Sequence, residues 1–325
     1  MTTIWHSLVD VPADGRASVV TLGNFDGVHR GHQAVLTRVA GEARACGERS
    51  VAITFDPHPL AVHRPESPPT LITGIEDRLE RMGETGLDAI LVIPYSLEIA
   101  AQTGEEFVRA YIAKGLRASG VVIGHDTKFG HDDTGHVDKL REFGGELGFT
   151  VEVLEWEGAS NGAERRWSST WIRELLEAGR VAEAAEILGR PHRVRGTVVH
   201  GGSLGHRIGF PTANLDVYAG MIPSHGVYAA WLSVLSSEGS PDGEAMVGRR
   251  FAAAVSLGRN LTVGETDLRL EAYLPDAPDF DIYGARVALD FIDRRRDMMD
   301  FGSIEALQVA LGEDVAWLRE TLPRP

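Results

Sequence analysis

Ala17-Ser18-Val19-Val20-Thr21-Leu22-Gly23-Asn24-Phe25-Asp26-Gly27-Val28-His29-Arg30-Gly31-His32 decides the fold of this chain. The first six residues read as a buried strand, and a helical pattern begins at Gln33. Between them the glycines let the backbone approach a ligand closely. A helix start supplies unpaired N–H groups and a positive dipole end. The two imidazoles, separated by Arg30-Gly31, add donors that stabilise charge on a phosphate as it is transferred. Such a turn suits nucleotide phosphates, with His29 and His32 as catalytic candidates and Gly23, Phe25 and Gly31 beside the phosphates. The plainer reading is a tight turn with two surface histidines. A full run in a strand–turn–helix context is far more specific than a lone glycine pair.

The helix after this run, Gln33 to Ala45, carries Val35, Leu36, Val39 and Ala43 on one side and stops at Gly47, a good C′ residue. Further strand candidates follow at Ser50–Phe55, Ala89–Ile93, Gly120–Ile123 and Thr150–Leu154. Helical patterns at Ile75–Glu84, Gly104–Lys114 and Val137–Leu147 connect them. Strands that alternate with helices predict a parallel sheet covered on both faces. Ligands of such sheets bind at the carboxyl ends of the strands. Two short helices, Trp171–Ala178 and Val181–Leu188, each end at a glycine. From Arg193 the texture changes to β-rich runs: Arg193–Val199, Gly226–Leu235, Arg249–Leu257, Asp267–Leu274 and Ala285–Ile292. That pattern predicts a small antiparallel barrel. A last helix, about Ser303 to Glu320, places Ile304, Leu307, Leu311, Val315 and Leu318 on one stripe. The boundary is expected near Gly189-Arg190-Pro191, giving an α/β domain over 1–188 and a barrel domain over 189–325.

The length, 325 residues, suits roughly two domains. With 47 acidic and 32 basic residues the net charge is −15, which argues against a general nucleic-acid binder. An anionic ligand then needs a local positive site. The single cysteine, Cys46, excludes an internal disulfide framework, fits a reducing cytoplasm and is expected to pack at the end of the first helix. Met1 to Arg16 holds no continuous apolar core of a signal peptide. No apolar run approaches the ~20 residues that span a bilayer, so no membrane association is expected. The oligomeric state is left open, a homo-oligomer included.

Other segments bear on the chemistry. Phe55-Asp56-Pro57-His58-Pro59 follows the second strand at the same sheet edge; alone it also reads as a Pro-braced turn. Ser168-Ser169-Thr170 opens a helix with Arg173 one turn in. Its hydroxyls cap a helix or contact phosphate, and Arg173 is able to pair with a phosphate oxygen. In Gly209-Phe210-Pro211-Thr212-Ala213-Asn214-Leu215, Thr212 and Asn214 offer neutral oxygens two apart on one strand face, a ligand type that suits Mg²⁺. The alternative there is a polar strand edge. Glu271 in Leu270-Glu271-Ala272-Tyr273-Leu274 reads by itself as a solvated strand face.

Taken together, these motifs resemble those of the prokaryotic bifunctional riboflavin kinase/FAD synthetase family. Gly23 to His32 is similar to the HxGH signature of nucleotidyltransferases in the GxFDGVHxGH form of bacterial FAD synthetases. Ser168–Arg173 matches the SSTxIR stretch, and Gly209–Leu215 the GFPTANL signature of riboflavin kinases. Gly226-Val227-Tyr228, Asp281–Gly284, Asp290–Ile292 and Phe301–Leu307 extend the match. The resemblance implies a Rossmann-like nucleotidyltransferase domain, then a kinase-type barrel. ATP and Mg²⁺ would serve both reactions: riboflavin to FMN, then FMN to FAD. His29, His32 and Arg173 would stabilise the adenylyl transfer. Ser168, Ser169, Thr170 and Asp126 would hold ATP, and Phe55, Pro57, His58 and Pro59 would form the flavin-side wall. Glu271 would be the kinase base, Thr212 and Asn214 its metal ligands, and Gly205 and Arg207 part of its phosphate loop.

This chain departs from the family pattern at three places. Thr127 replaces an aromatic in Gly124–Gly130. The usual GDxRGRxLG loop reads Gly201–Gly209 with Leu204 and His206 at the basic positions. The NPTF loop reads Asn260-Leu261-Thr262-Val263. Two other readings follow from these departures. One is an adenylyltransferase whose kinase half is weak, inactive or retuned to another flavin analogue. The other is a non-catalytic flavin-binding regulator, which the His29/His32 pair argues against.

Overall fold

The computed structural model describes the chain apart from residues 126, 132–133, 155–164, 201–209, 211, 238–239, 241, 259–268, 278–280 and 323–325. Two compact units result: Met1–Thr70 with Ile75–Ser169, and Leu71–Gly74 with Thr170–Pro325. This division falls at Ser169/Thr170, ahead of the 188/189 boundary placed from the sequence: the helix Val181–Leu188 contacts barrel strands, and Leu176 O in the helix before it accepts from Ser224 N–H at 2.9 Å.

In the first unit the elements run β1 (Thr3–Trp5), β2 (Ser18–Leu22), α1 (Arg30–Cys46), β3 (Arg49–Asp56), α2 (Pro59–His63), α3 (Ile75–Gly83), β4 (Ala89–Pro94), α4 (Leu97–Ala100), α5 (Gly104–Phe107), β5 (Ala118–Gly124), α6 (Val137–Leu147) and β6 (Thr150–Leu154). A turn of π-helix, Val108–Gly115, continues α5. The six strands form one sheet in the order β1-β4-β3-β2-β5-β6, and every pairing is parallel. Alternate residues serve opposite faces, as the two-residue period of a strand requires. Val20, Leu22, Ile53, Leu91 and Ile123 pack on one side, with Phe107, Ile112 and Leu140. Val19, Ala52, Ile90 and Val122 pack on the other, against Val35, Leu36, Val39 and Ala43 of α1. Each Val, Leu, Ile or Phe among them contributes about 1.5–3 kcal/mol when fully buried. β3 and β4 extend the sheet from one side of β2, and β5 and β6 from the other. The segment after β2 therefore lies at the switch point where such sheets bind ligands. Cys46 is exposed, contrary to the packing expected for it; it ends α1 three residues beyond the buried Ala43.

The second unit contains α7 (Ser169–Glu177), apart from its first residue, and α8 (Val181–Leu188). The barrel strands follow: β7 (His192–Val199), β8 (Thr212–Ala219), β9 (Gly226–Ser236), β10 (Arg250–Gly258), β11 (Arg269–Tyr273) and β12 (Arg286–Arg296). They close in the order β10-β11-β8-β7-β12-β9. Every barrel pairing is antiparallel. The C-terminal helix Ile304–Thr321 lays Leu318 and the following Leu322 over Ala229, Trp231, Ala252, Ala254 and Ile292. The small alanines let the helix approach the sheet. Ile304, expected on the same stripe, is 44% exposed in the first turn, while Leu307, Val315 and Leu318 are buried. The strap Leu71–Gly74 is also part of this unit. Met221 N–H donates to Ile72 O at 3.3 Å, and a Cβ on Gly74 would stand 2.6 Å from that of Ala219.

Candidate active sites

In the first unit, the loop from β2 to α1 is held in an unusual backbone shape. Phe25 (φ +50°), Gly27 (φ +82°) and Val28 (φ +40°) all occupy the left-handed region. A β-branched residue there stores roughly 1–3 kcal/mol of strain, and Val28 is fully buried. Val28 N–H donates to Phe25 O at 3.0 Å, and Gln33 Nε2 donates to Val28 O at 2.7 Å. A Cβ on Gly23 would lie 3.2 Å from the Phe25 ring, so any larger residue there would have to push that ring aside.

The loop delivers His29 to the N-cap of α1, where its Nδ1 accepts from His32 N–H at 3.3 Å. With Nδ1 accepting, the neutral ring carries its proton on Nε2. The two imidazoles stack, with centroids 3.7 Å apart and planes at 20°. Phe25 meets the His32 ring edge-on at 5.3 Å. Gly31, in the first turn of α1, is buried.

Ser169 joins the loop: its Oγ donates to Asp26 O at 2.9 Å. Ser168 precedes it, half-buried. Thr170, exposed, and Arg173, half-buried, belong to α7 in the second unit.

At the adjacent end of β3, Phe55 is buried, and His58 caps α2 by accepting from Leu60 N–H at 3.1 Å. Pro57 precedes that cap, and Pro59 is the first residue of α2. Beside them stands an aromatic cluster gathered from distant segments. Phe55 meets Tyr95 at 5.4 Å and Phe107 at 6.3 Å, and Phe107 meets Phe129 at 6.0 Å. His63 Nε2 and Tyr95 Oη are 3.0 Å apart. Burial pushes the Tyr95 phenol up, so it stays a neutral partner.

Arg78 of α3 underlies both loops. It is 1% exposed, yet it lies on a helix otherwise rich in charge. Burial pulls its pKa down, and the carboxylates of Asp26 and Asp56 push it back up. Tyr95, Phe107 and Arg78 escape a reading by local motif. The one sequence signal for Arg78 is its place on the stripe of Ile75, Leu79 and Met82.

In the barrel, Glu271 of β11 pairs in register with Asn214 of β8 and Ser256 of β10. Thr212 is two residues from Asn214, so all four side chains share one face of adjacent strands. Thr212 Oγ1 donates to Glu271 Oε2 at 3.4 Å. Ser256, missed from sequence, is found only through its cross-strand register; its Oγ lies 3.5 Å from Met298 Sδ. The face offers a hydroxyl, an amide carbonyl and a carboxylate, an oxygen set that fits a hard divalent cation such as Mg²⁺. Among the described residues, no group of three or more His, Cys, Asp or Glu could hold a metal ion. Asp126, Gly205, Arg207, Leu204, His206 and Leu261 lie outside the described residues.

An α/β sheet with imidazoles at the helix start of its switch point, followed in the same chain by a barrel bearing a Thr/Asn/Glu face, defines a two-module transferase of the nucleotidyl- and phosphoryl-transfer class. Comparison with known proteins narrows the class. The FAD synthetase family model matches residues 11–170, and the riboflavin kinase family model matches residues 188–322. The chain is 34% identical over 318 residues to the bifunctional riboflavin kinase/FMN adenylyltransferase of Pseudomonas fluorescens, covering 97% of this chain and 96% of that one. It is 32% identical over 317 residues to the protein of the same name from Escherichia coli K12, covering 97% and 95%. The chain belongs to the bifunctional riboflavin kinase/FMN adenylyltransferase family.

A crystal structure described as a macrolide-efflux protein from Streptococcus pneumoniae also superposes, with a TM-score of 0.83 and 30% identity over 98% of both chains. That description names an unrelated activity. Both family models and the named relatives agree with the motifs of this chain, so they decide its family. Among the described residues, no helix is long and apolar enough to cross a membrane.

Proposed function

We propose that the α/β module joins the phosphate of FMN to the adenylyl group of ATP, and that the barrel phosphorylates riboflavin to FMN. The stacked His29–His32 pair at the N-terminus of α1 carries the reading. In the first reaction a phosphate oxygen of FMN attacks the α-phosphorus of ATP, and pyrophosphate leaves. No protein nucleophile is required. His29 Nε2–H, His32, the N–H groups opening α1 and Arg173 stabilise the charge that develops on the transferred phosphorus. Gly23, Phe25, Gly31, Asp126, Ser168, Ser169 and Thr170 hold ATP, and Phe55, Pro57, His58 and Pro59 wall the flavin.

In the second reaction Glu271 takes the proton of the ribityl 5′-hydroxyl as that oxygen attacks the γ-phosphorus, and ADP leaves. Thr212 and Asn214 would hold Mg²⁺, which when bound neutralises charge on the ATP phosphates. Gly205 and Arg207 are assigned to the loop that binds the phosphates. The net charge of −15 supports small-molecule partners rather than nucleic acid, and the single cysteine supports a reducing, cytoplasmic setting.

The test is incubation with ATP and Mg²⁺ and either riboflavin or FMN, with products separated by chromatography. FMN and FAD are expected from riboflavin, and FAD from supplied FMN. Absence of FAD in both arms rejects the adenylyltransferase reading. Leu204 and His206 favour a second reading of the barrel, as a slow kinase.

A further inference from the structure

Arg78 spans the ends of two strands. Its Nη1 donates to Asn24 O at 3.2 Å, and its Nη2 donates to Phe55 O at 2.9 Å. Nη2 also stands 3.7 Å from Asp56 Oδ1. Asn24 is two residues beyond β2, inside the histidine loop; Phe55 and Asp56 end β3 and lead into Pro57–Pro59. A second donor reaches the same Asn24 oxygen, Thr54 Oγ1 at 3.2 Å. One rigid, planar group thus fixes the gap between the two loops at the carboxyl edge of the sheet.

Stability alone does not account for an arginine here. Taking a guanidinium out of water costs several kcal/mol even when it is paired, and an apolar side chain of similar volume is often as stable. What arginine supplies is geometry: donors in a fixed fork that a lysine ammonium does not reproduce.

We propose that Arg78 is a positioning residue for adenylyl transfer, its fork setting the distance between the histidine loop and the Phe55–Pro59 wall. This rests on the adenylyltransferase reading above. If the first loop holds the phosphates of ATP and the second holds the flavin, that distance decides whether the FMN phosphate reaches the α-phosphorus. Arg78 touches neither substrate; it acts through the carbonyls of Asn24 and Phe55.

The experiment is steady-state FAD formation from FMN by full-length Arg78→Lys and by Thr54→Val, with riboflavin phosphorylation measured on the same preparations. Loss of alignment costs on the order of 10²-fold in rate when reacting groups shift by about 1 Å. Arg78→Lys is therefore expected to lower kcat for FAD about 10- to 100-fold while KM for ATP and FMN stays near that of the parent. Thr54→Val, which removes the other donor to Asn24 O, is expected to lower the same kcat by less. Riboflavin phosphorylation is expected to be unchanged, and both variants are assayed at a temperature where their unfolding profiles show them folded.

A kcat for folded Arg78→Lys within about twofold of the parent overturns the proposal, as does a change confined to KM. A kcat loss that only follows the unfolded fraction overturns it too. Should Arg78→Lys fail to fold, Thr54→Val decides, and an unaltered kcat there overturns it. Failure of the parent to make FAD is a different result: it rejects the adenylyltransferase reading itself.

Discussion

The His29 Nδ1 atom accepts the backbone N–H of His32 at 3.3 Å while the two rings stack 3.7 Å apart. One histidine is therefore both a helix cap and a phosphate-binding candidate, and substitution can separate these roles. His29→Asn keeps a side-chain acceptor at the N-cap, where removing the cap costs about 1 kcal/mol. His29→Ala loses both functions. Each is expected to lower FAD formation by ~10²–10³-fold, the usual loss for one charge-stabilising donor. Only His29→Ala is expected also to lower the melting temperature. Calorimetry beside the FAD assay checks this, and near-normal FAD formation by His29→Asn combined with His32→Ala rejects the role given to the pair.

Glu271→Gln removes the proposed base and keeps the shape of the face it shares with Thr212, Asn214 and Ser256. The variant is expected to lose riboflavin phosphorylation by at least ~10²-fold, the low end of what general-base catalysis supplies. Its conversion of supplied FMN to FAD should match the parent. Thr212→Val should raise the Mg²⁺ concentration needed in the kinase assay alone. A parallel fall in FAD made from FMN would show that the two reactions are not divided as proposed.

Glu42 has a pKa pushed up to about 7. Burial is the main cause, followed by its hydrogen bond and charge repulsion with Glu152; Arg38, 2.8 Å away, opposes the shift. A carboxyl with a folded pKa above its unfolded value stabilises the fold fully below about 4.3, and that contribution is lost as pH rises through about 7. Glu42→Gln mimics the protonated form. Its melting temperature is expected to exceed the parent's at pH 8 and to match it near pH 4.5, as scanning calorimetry at the two pH values would read.

Asp314 anchors the C-terminal helix. It is 2% exposed, and its carboxylate meets Arg295 Nε at 2.8 Å and Arg296 Nη2 at 2.6 Å. Burial pushes its pKa up, and both arginines pull it back down. Asp314→Ala leaves two cations without their shared partner and is expected to cost about 3 kcal/mol, the low end for a broken buried pair because both arginines are partly exposed. Denaturant unfolding measures it. A loss under ~0.5 kcal/mol would mean that Leu318 and Leu322 hold the helix unaided.

Leu204 and His206 occupy positions that are basic in the family pattern. Leu204 has no donor, and His206 puts an imidazole where the pattern has a permanently charged guanidinium. A lost charge-assisted hydrogen bond is worth roughly 1.5–3 kcal/mol, or about 10- to 100-fold in binding. Leu204→Arg with His206→Arg is expected to lower KM for ATP in riboflavin phosphorylation. No change, or a loss, would mean that Arg207 already serves the phosphates in this chain.

Much of this molecule is legible in its sequence where punctuation and period agree. Val137–Leu147 and Val181–Leu188 are helices over the residues their apolar spacing predicts, each closed by a left-handed glycine. Where tertiary partners supply the order, the sequence is silent. β1 is three residues long and exists only through β4. β12 runs four residues beyond its apolar core because Arg294 and Arg296 pair with β9 across a bulge. The π-helical turn after Phe107 keeps a helix-like apolar spacing and so reads as ordinary helix. The same division holds at the sites. His29 and His32 announce themselves within one loop. Arg78, Tyr95 and Phe107 become neighbours of the site through the sheet alone, and the apolar stripe that carries Arg78 is the one local hint of its burial.

The strap Leu71–Gly74 places four residues of the first half of the chain in the barrel unit, so the covalent path crosses between units at 70/71, 74/75 and 169/170. A gene cut once, at any codon, therefore cannot yield two complete modules. A fragment beginning after α8 would leave Met221 without the Ile72 carbonyl and the barrel without a fully buried isoleucine. Exchange of either module between genes would need to carry this tetrapeptide across too. The strap thus weights recombination toward inheriting both halves together, independently of any benefit from coupling their reactions.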